Sequence, residues 1–317
     1  MIKNLFLLIV LIAAFNVGCD KIENPVIKKE NTINTDLYPG EGDYVIPPFG
    51  DYPSHTQNVL IEDFTGHRCG NCPTAAEIAH ELKEQYQGQV CVASIHSAKP
   101  PYFFQSVSEE GDPEYPAYSH YFRTEAGDQY PLDIAGFIGN PVGMINRDID
   151  DAGQIWQFHP TWSEKVDEIL SANEPLLMNV QVNTNYYTET RGLFVHVKSE
   201  TLKTMEGRYN MVIYLLQDEV IDWQTDYTAT PSDIEDYHHK DVLLDNINGP
   251  YGDQLFASTS VFGETFQNHY TYEIPEEIEV EGSEPNNDTG LSLIVYLMNR
   301  DTYEIIQVIE LGVTITY

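Results

Sequence analysis

A chain of 317 residues with 42% apolar and 21% charged side chains has the composition of a folded protein, long enough for two ordinary domains, which excludes a largely disordered chain. Its 50 acidic side chains face 16 basic ones, for a formal net charge of −34, and no Lys or Arg cluster interrupts the acidity. A field of that sign repels phosphates and attracts cations or basic partners, so nucleic-acid binding is excluded.

The chain opens MIKNLFLLIVLIAAFNVGCD. Lys3 precedes an apolar run from Leu5 to Phe15 that is too short to span a bilayer comfortably, and small residues then lead to Cys19. This is the layout of a signal peptide over residues 1–18 with Cys19 as the lipidated, palmitate-bearing new N-terminus, although Asn16 stands where Leu is usual. Such a chain is expected outside the cytoplasm, anchored to a membrane through its lipid and facing the periplasm or the surface, where disulfides persist. Residues 19–56 carry Pro25, Pro39, Pro47, Pro48 and Pro53 and read as a semi-extended tether whose tyrosines and VIPP stretch offer groups for docking on the first domain.

QNVLIEDFTG, 57–66, predicts a strand. CPTAAEIAHELKEQYQG places Ala75, Ile78, Ala79 and Leu82 at helical spacing, with Gly88 closing the segment. QVCVASIHS, 89–97, is a second apolar strand, so the forty-odd residues have the rhythm of a βαβ unit with parallel strands. Residues 98–135 are aromatic and Pro-rich, with a helix expected over Ser119–Ala126. An amphipathic helix is expected from Thr161 to Asn173, on Trp162, Val166, Ile169 and Leu170. After Pro175 the period changes to alternation in LLMNVQVNTNYY, RGLFVHVKS, RYNMVIYLLQ, NHYTYEI, LSLIVYLMN and YEIIQVIELGVTITY. The expectation is an α/β domain over 57–174 followed by an all-β domain over 175–317, an antiparallel β-sandwich, with Asp222–Tyr251 a polar excursion from it.

DFTGHRCGNCPTA holds Cys69 and Cys72 two residues apart, between strand and helix. A helix start lowers a thiol's pKa through its free N–H groups and dipole, and His67 and Arg68 place basic groups beside the first sulfur. Pro73 costs little in a first helical turn. Three readings stand: a redox-active pair, a structural disulfide, or part of a metal site, for which His67, Cys69 and Cys72 give three ligands where structural zinc wants four. Cys91, within an apolar strand, reads as a buried inert thiol.

This segment resembles the thioredoxin superfamily. Asp63 and Phe64 precede Cys69 by six and five residues, like the buried acid and its Phe neighbour in that active-site strand, and Gly139-Asn140-Pro141 is similar to the segment that presents a cis proline opposite the disulfide. The resemblance implies a thioredoxin-like domain with an insertion at about 98–135, which could cover the site. It further implies that Asp63 handles the proton of the second thiol while Asn140 and Pro141 hold a substrate chain. Arg68 departs from the usual aromatic residue, and Gly70-Asn71 from Gly-Pro. At a finer level the signal with Cys19, the tether, VLIEDFTGHRCGNCP, FIGNP and the all-β tail are similar to the Omp28-related outer membrane lipoproteins of Bacteroidetes-type bacteria. YHHKDVLLDNINGPYGDQ, 237–254, is similar to a His-containing loop of that family.

Asp148, Asp150 and Asp151 with Gly153 invite a calcium reading, but Ala152 and the lack of a closing Glu fail the EF-hand pattern, so a solvated turn is the default. Glu284-Pro-Asn-Asn-Asp288 reads as a hairpin turn, and the adjacent His238 and His239 would face opposite ways in a strand. No P-loop, nucleophile elbow, HExxH or dinucleotide fingerprint occurs, so no other cofactor is expected. Two functions remain. One is a thiol–disulfide oxidoreductase in which Cys69 attacks and Cys72 resolves, acting on an extracytoplasmic protein or peptide. The other is a non-catalytic binding or structural lipoprotein, recognising protein or glycan, whose CxxC only stabilises. Exposure of the Cys69 sulfur beside Pro141 separates them.

Overall fold

The first strand, β1 (Val59–Thr65), is buried along its whole length. Its odd and even residues enter different apolar clusters, Val59 and Ile61 in one and Leu60 and Phe64 in the other. A strand covered on both faces is the reason it reads as a continuous apolar run. The structure, a computed structural model, describes residues 33–52, 56–150, 152–172, 174–281 and 287–317. The signal segment, Cys19, Asp151 and the first part of the 284–288 turn lie outside the described residues.

Helix α1 (Cys72–Gln85) follows β1 and returns the chain to β2 (Val90–His96), which pairs with β1 in parallel, Val59 opposite Val90 through Thr65 opposite His96. The expected helix at 119–126 is displaced: α2 spans Glu125–Asp133, capped by Thr124, whose hydroxyl accepts from the Gly127 N–H at 3.0 Å. Acidic Glu125 and Asp128 fill its first turn, as the helix dipole favours. Next come β3 (Val142–Ile145), antiparallel to β1, and α3 (Trp162–Ala172), close to the expected bounds.

The remaining chain is all strand: β4 (Met178–Tyr187), β5 (Gly192–Thr201), β6 (Met205–Glu206), β7 (Tyr209–Thr225), β8 (Asp233–Asn246), β9 (Asp253–Phe256), β10 (Thr259–Ser260), β11 (Thr265–Glu273), β12 (Leu291–Asn299) and β13 (Ile305–Gly312). Most of the segment expected to be a polar excursion is instead the last four residues of β7 and all of β8, and the two strands form a long antiparallel hairpin with a bulge between Asp222 and Gln224. Its outward residues are charged, which disguises the alternation.

One sheet runs in the order β13-β12-β7-β8-β2-β1-β3, with β9 attached to β7; a separate sheet is ordered β11-β5-β4, and β6 pairs with β10. The join between the two expected regions is a parallel contact, Ser94 of β2 opposite Val242 of β8. Strands from both sides of residue 175 therefore share a sheet, and the described residues belong to one compact unit. Three layers cover it. Helices α1 and α3 pack on β1 and β2 through Ala75, Ala79, Trp162 and Val166. The three-stranded sheet packs through Val180, Val195 and Val197 on Ile213, Leu215, Leu293 and Val295. A third cluster combines Phe64, Ile95, Tyr130 and Trp156 with Tyr214, Ile294 and Tyr296.

Within that last cluster, Arg147 and Glu62 form a fully buried ion pair, each Glu62 oxygen accepting from the guanidinium at 2.7 Å. Arg147 also donates to the hydroxyls of Tyr214 and Tyr296, at 3.1 and 3.0 Å. The tether's described part docks on the three-stranded sheet instead of the first expected domain. Tyr44 stacks on Phe194 at 4.3 Å and bonds Asn185 and His196, while Asn183 donates to the Pro48 carbonyl.

Candidate functional site

The turn between β1 and α1 is tied by Cys69 N–H to Gly66 O at 2.9 Å and Cys72 N–H to Cys69 O at 3.0 Å. The helix begins at Cys72, so Cys69 lies in the turn before it instead of in the first helical turn. The two cysteines form a disulfide, while Cys91 is a buried free thiol whose pKa is pushed well up by burial.

The distal part of the β7–β8 hairpin covers this disulfide. Thr225 N–H donates to His67 O and Tyr227 N–H to Gly70 O, both at 2.8 Å. Buried Gln224 donates from Nε2 to the carbonyls of Gly66 and Cys69, at 3.3 and 3.2 Å. The Tyr227 ring lies so close to Gly70 that a Cβ there would overlap it. Cys69 is 2% exposed and Cys72 1%.

The basic neighbours do not serve the sulfur. Arg68 turns toward the segment after β2, donating to Ser106 O at 2.6 Å, pairing with Glu114 at 2.6 Å and lying over the Tyr118 ring. Burial lowers the His67 pKa to about 4, so its ring is neutral at pH 7. Part of the expected insertion therefore packs beside the site, while α2, through Tyr130, joins the shared core.

Asp63 is fully buried, and neither carboxylate oxygen meets a hydrogen-bond partner among the described residues. Desolvation raises its pKa from 3.8 to about 8. It lies on the floor of a cleft of about 430 Å³ beneath α1, lined also by His96, Tyr237 and His239.

The Asn140–Pro141 peptide is cis. The Asn140 side chain points inward, donating to the carbonyls of Thr65 and Ser97 at 2.6 Å each, and so ties the proline loop to the ends of β1 and β2. A groove of about 690 Å³ runs between this loop and the start of α1, lined by Asn71, Thr74, Phe104, Pro141, Phe158 and His159. The proline loop and the CxxC turn thus border one groove, whose lining includes no residue of the hairpin.

Sequence reasoning missed Gln224 and Tyr227, which sit in the misread hairpin, and a histidine group beneath it. His96 stacks on Phe122 at 4.2 Å and meets His239 at 5.4 Å, and both imidazoles are held neutral, primarily by burial. Alternation in DYHHKDV was the available signal: His239 is buried while His238 reaches Glu219 at 2.8 Å in solvent, opposite faces as a strand requires. Among the calcium candidates, Asp148 pairs with Lys165 at 2.8 Å and Asp150 accepts from the N–H groups of Ala152 and Gln154. Among the described residues no group of three His, Cys, Asp or Glu side chains is placed to hold a metal ion.

A family model described as outer membrane protein Omp28 matches residues 128–315, more than half of the chain. The chain belongs to the Omp28 family. Its place is therefore the outer membrane. The matched span contains Asn140, Pro141 and the covering hairpin, and begins after the CxxC. HBP35 of Porphyromonas gingivalis is similar in fold, with 15% identity and a TM-score of 0.55 over 83% of this chain and 79% of that one. A domain of the outer membrane lipoprotein Omp28 from the same organism is 19% identical over 44% of this chain and 91% of its own, with a TM-score of 0.28. No curated protein matches the chain.

Proposed function

We propose that this outer-membrane protein is a non-catalytic binding or structural lipoprotein in its closed form, with Cys69–Cys72 a stabilising disulfide. In this reading residues 1–18 are a signal peptide and Cys19 carries the lipid. The body joins a thioredoxin-like half to a β-sandwich half; the β1-α1-β2 unit, the antiparallel β3 with its cis Pro141, and the buried Asp63 support the first assignment, and the packing of β4, β5 and β11 on β7 and β12 supports the second. The observation that carries the function is the cover over the sulfurs. Exchange requires in-line approach of a second sulfur to Cys69, and the hairpin bonds the backbone on both sides of that residue while its side chain is all but removed from solvent.

The test is alkylation of Cys69 after mild reduction of the native protein, across denaturant concentrations. Slow labelling that tracks unfolding supports a structural disulfide; rapid labelling in buffer, with reversible trapping of a mixed disulfide in Cys72→Ser, overturns it. A second reading rests on the groove beside Pro141, which gives a peptide a place next to the CxxC turn. There the Cys69 thiolate would attack a substrate disulfide, releasing one substrate thiolate. Starting from the reduced dithiol, Cys72 would then displace the other, re-forming Cys69–Cys72, with its proton passing to Asp63 where that carboxyl is ionised. That reading requires the hairpin to lift.

A further inference from the structure

The cleft between α1 and β8 has features that a structural disulfide does not use. It holds about 430 Å³, within the range of small-molecule sites. Glu77, Glu81 and Glu84 project from one stripe of α1 at helical spacing, and Asp236 faces them from β8. Lys240 is the ammonium on the lining, and His80 is occupied with Asp241 at 3.3 Å. At the floor stands Asp63, wholly buried, with two carboxylate oxygens that no donor among the described residues reaches. A buried polar group without a partner is costly and rare, and here it lines an opening large enough for a guest.

We infer that this cleft binds a small organic cation, a primary ammonium or guanidinium group, with Asp63 as its buried counter-ion and the α1 carboxylates as its rim. The ligand donates to both Asp63 oxygens; Thr65 and Ser94 supply hydroxyls beside them, and Tyr237, His96 and His239 form the neutral wall. Without the cation Asp63 keeps its proton, because burial disfavours the carboxylate. Binding therefore converts the acid to carboxylate and releases that proton to solvent. The cation is either a free amine or the side chain of a Lys or Arg on a partner protein; the chemistry at Asp63 is the same. The inference goes beyond the proposed function and does not depend on whether the disulfide exchanges.

The experiment is titration calorimetry on the disulfide-intact protein with butane-1,4-diamine, with a capped tripeptide carrying one Lys, and with butane-1,4-diol as the uncharged control. Both amines are measured in two buffers of different ionisation heat, to count protons. The expected result is binding of an amine but not the diol, with proton release at pH 6.5. Asp63→Asn weakens binding by roughly tenfold or more, as for loss of a charge-assisted bond, and abolishes the release. Glu77→Gln with Glu81→Gln, on the exposed helix face, weakens binding and leaves the release intact. Preference for the diamine identifies a free small molecule, and preference for the peptide a protein-borne cation. No binding of either amine, equal binding of the diol, or unchanged affinity in Asp63→Asn overturns the inference.

Discussion

Replacing Asp63 with Asn is expected to stabilise the fold, and by an amount that depends on pH. The unfolded carboxyl ionises near 3.8, whereas the folded one holds its proton up to about 8. Between those values the native state binds a proton that the unfolded state lacks, so native stability falls as pH rises from about 4 to about 8 and changes no further outside that window. At 1.36 kcal/mol per pH unit, the carboxyl costs the native state about 2 kcal/mol at pH 5 and about 5 kcal/mol at pH 7.5. Asn keeps the shape and removes the charge, so the gain of Asp63→Asn over the wild type should grow by about 3 kcal/mol between those two pH values. Guanidinium unfolding curves of both proteins at pH 5 and 7.5, with the disulfide intact, measure it; taking the difference cancels every other titrating group. A gain that is the same at both pH values, or a loss at pH 7.5, refutes the placement of Asp63 as a buried carboxyl without a partner.

Other consequences are open to direct measurement. Glu62→Gln leaves Arg147 charged and unpaired in the core and should cost about 3–5 kcal/mol in denaturant unfolding, with much of the loss recovered when Arg147 is also replaced by Met. Gln224→Ala removes the side chain that ties the carbonyls of Gly66 and Cys69, and should raise the rate of Cys69 alkylation after mild reduction by about 5–30-fold, the population change for 1–2 kcal/mol. Serine at both Cys69 and Cys72 should cost about 2 kcal/mol, the closure entropy of so short a loop, without changing the far-ultraviolet circular dichroism. Burial, then His269, lowers the His196 pKa to about 4, so the docked tether excludes a proton that the free imidazole binds. Protection factors for the amides of residues 33–52, taken against intrinsic exchange rates, should therefore fall as pH falls from 6.5 toward 4, and His196→Gln should flatten that response.

The β1-α1-β2 unit was legible because apolar runs, helical spacing and Gly88 agree over a short stretch, and the Trp162 helix for the same reason. The strands of the tail showed through their alternation. Residues 222–246 did not, since the exposed Glu235, Asp236 and Lys240 of β8 mimic a loop; their strand character comes from pairing with β7. Helix α2 slipped along the chain because Pro131 within it reads as a breaker. The shared sheet was out of reach of any local pattern, since it depends on Ser94 meeting Val242. At the site, the burial of Asp63 and the cis Pro141 followed the thioredoxin resemblance. The hairpin over Cys69 and the inward turn of Arg68 and Asn140 are long-range contacts that no motif encodes.

That Ser94–Val242 seam has a practical consequence for dissecting the molecule. A fragment cut at residue 175 would keep the CxxC but strip its roof, and would leave VCVASI of β2 as a bare apolar edge, a template for sticking to other chains. Reactivity measured on such a piece would report thiols that the hairpin covers in the intact protein. The two halves have to be studied together, because the lock on the first is the spine of the second.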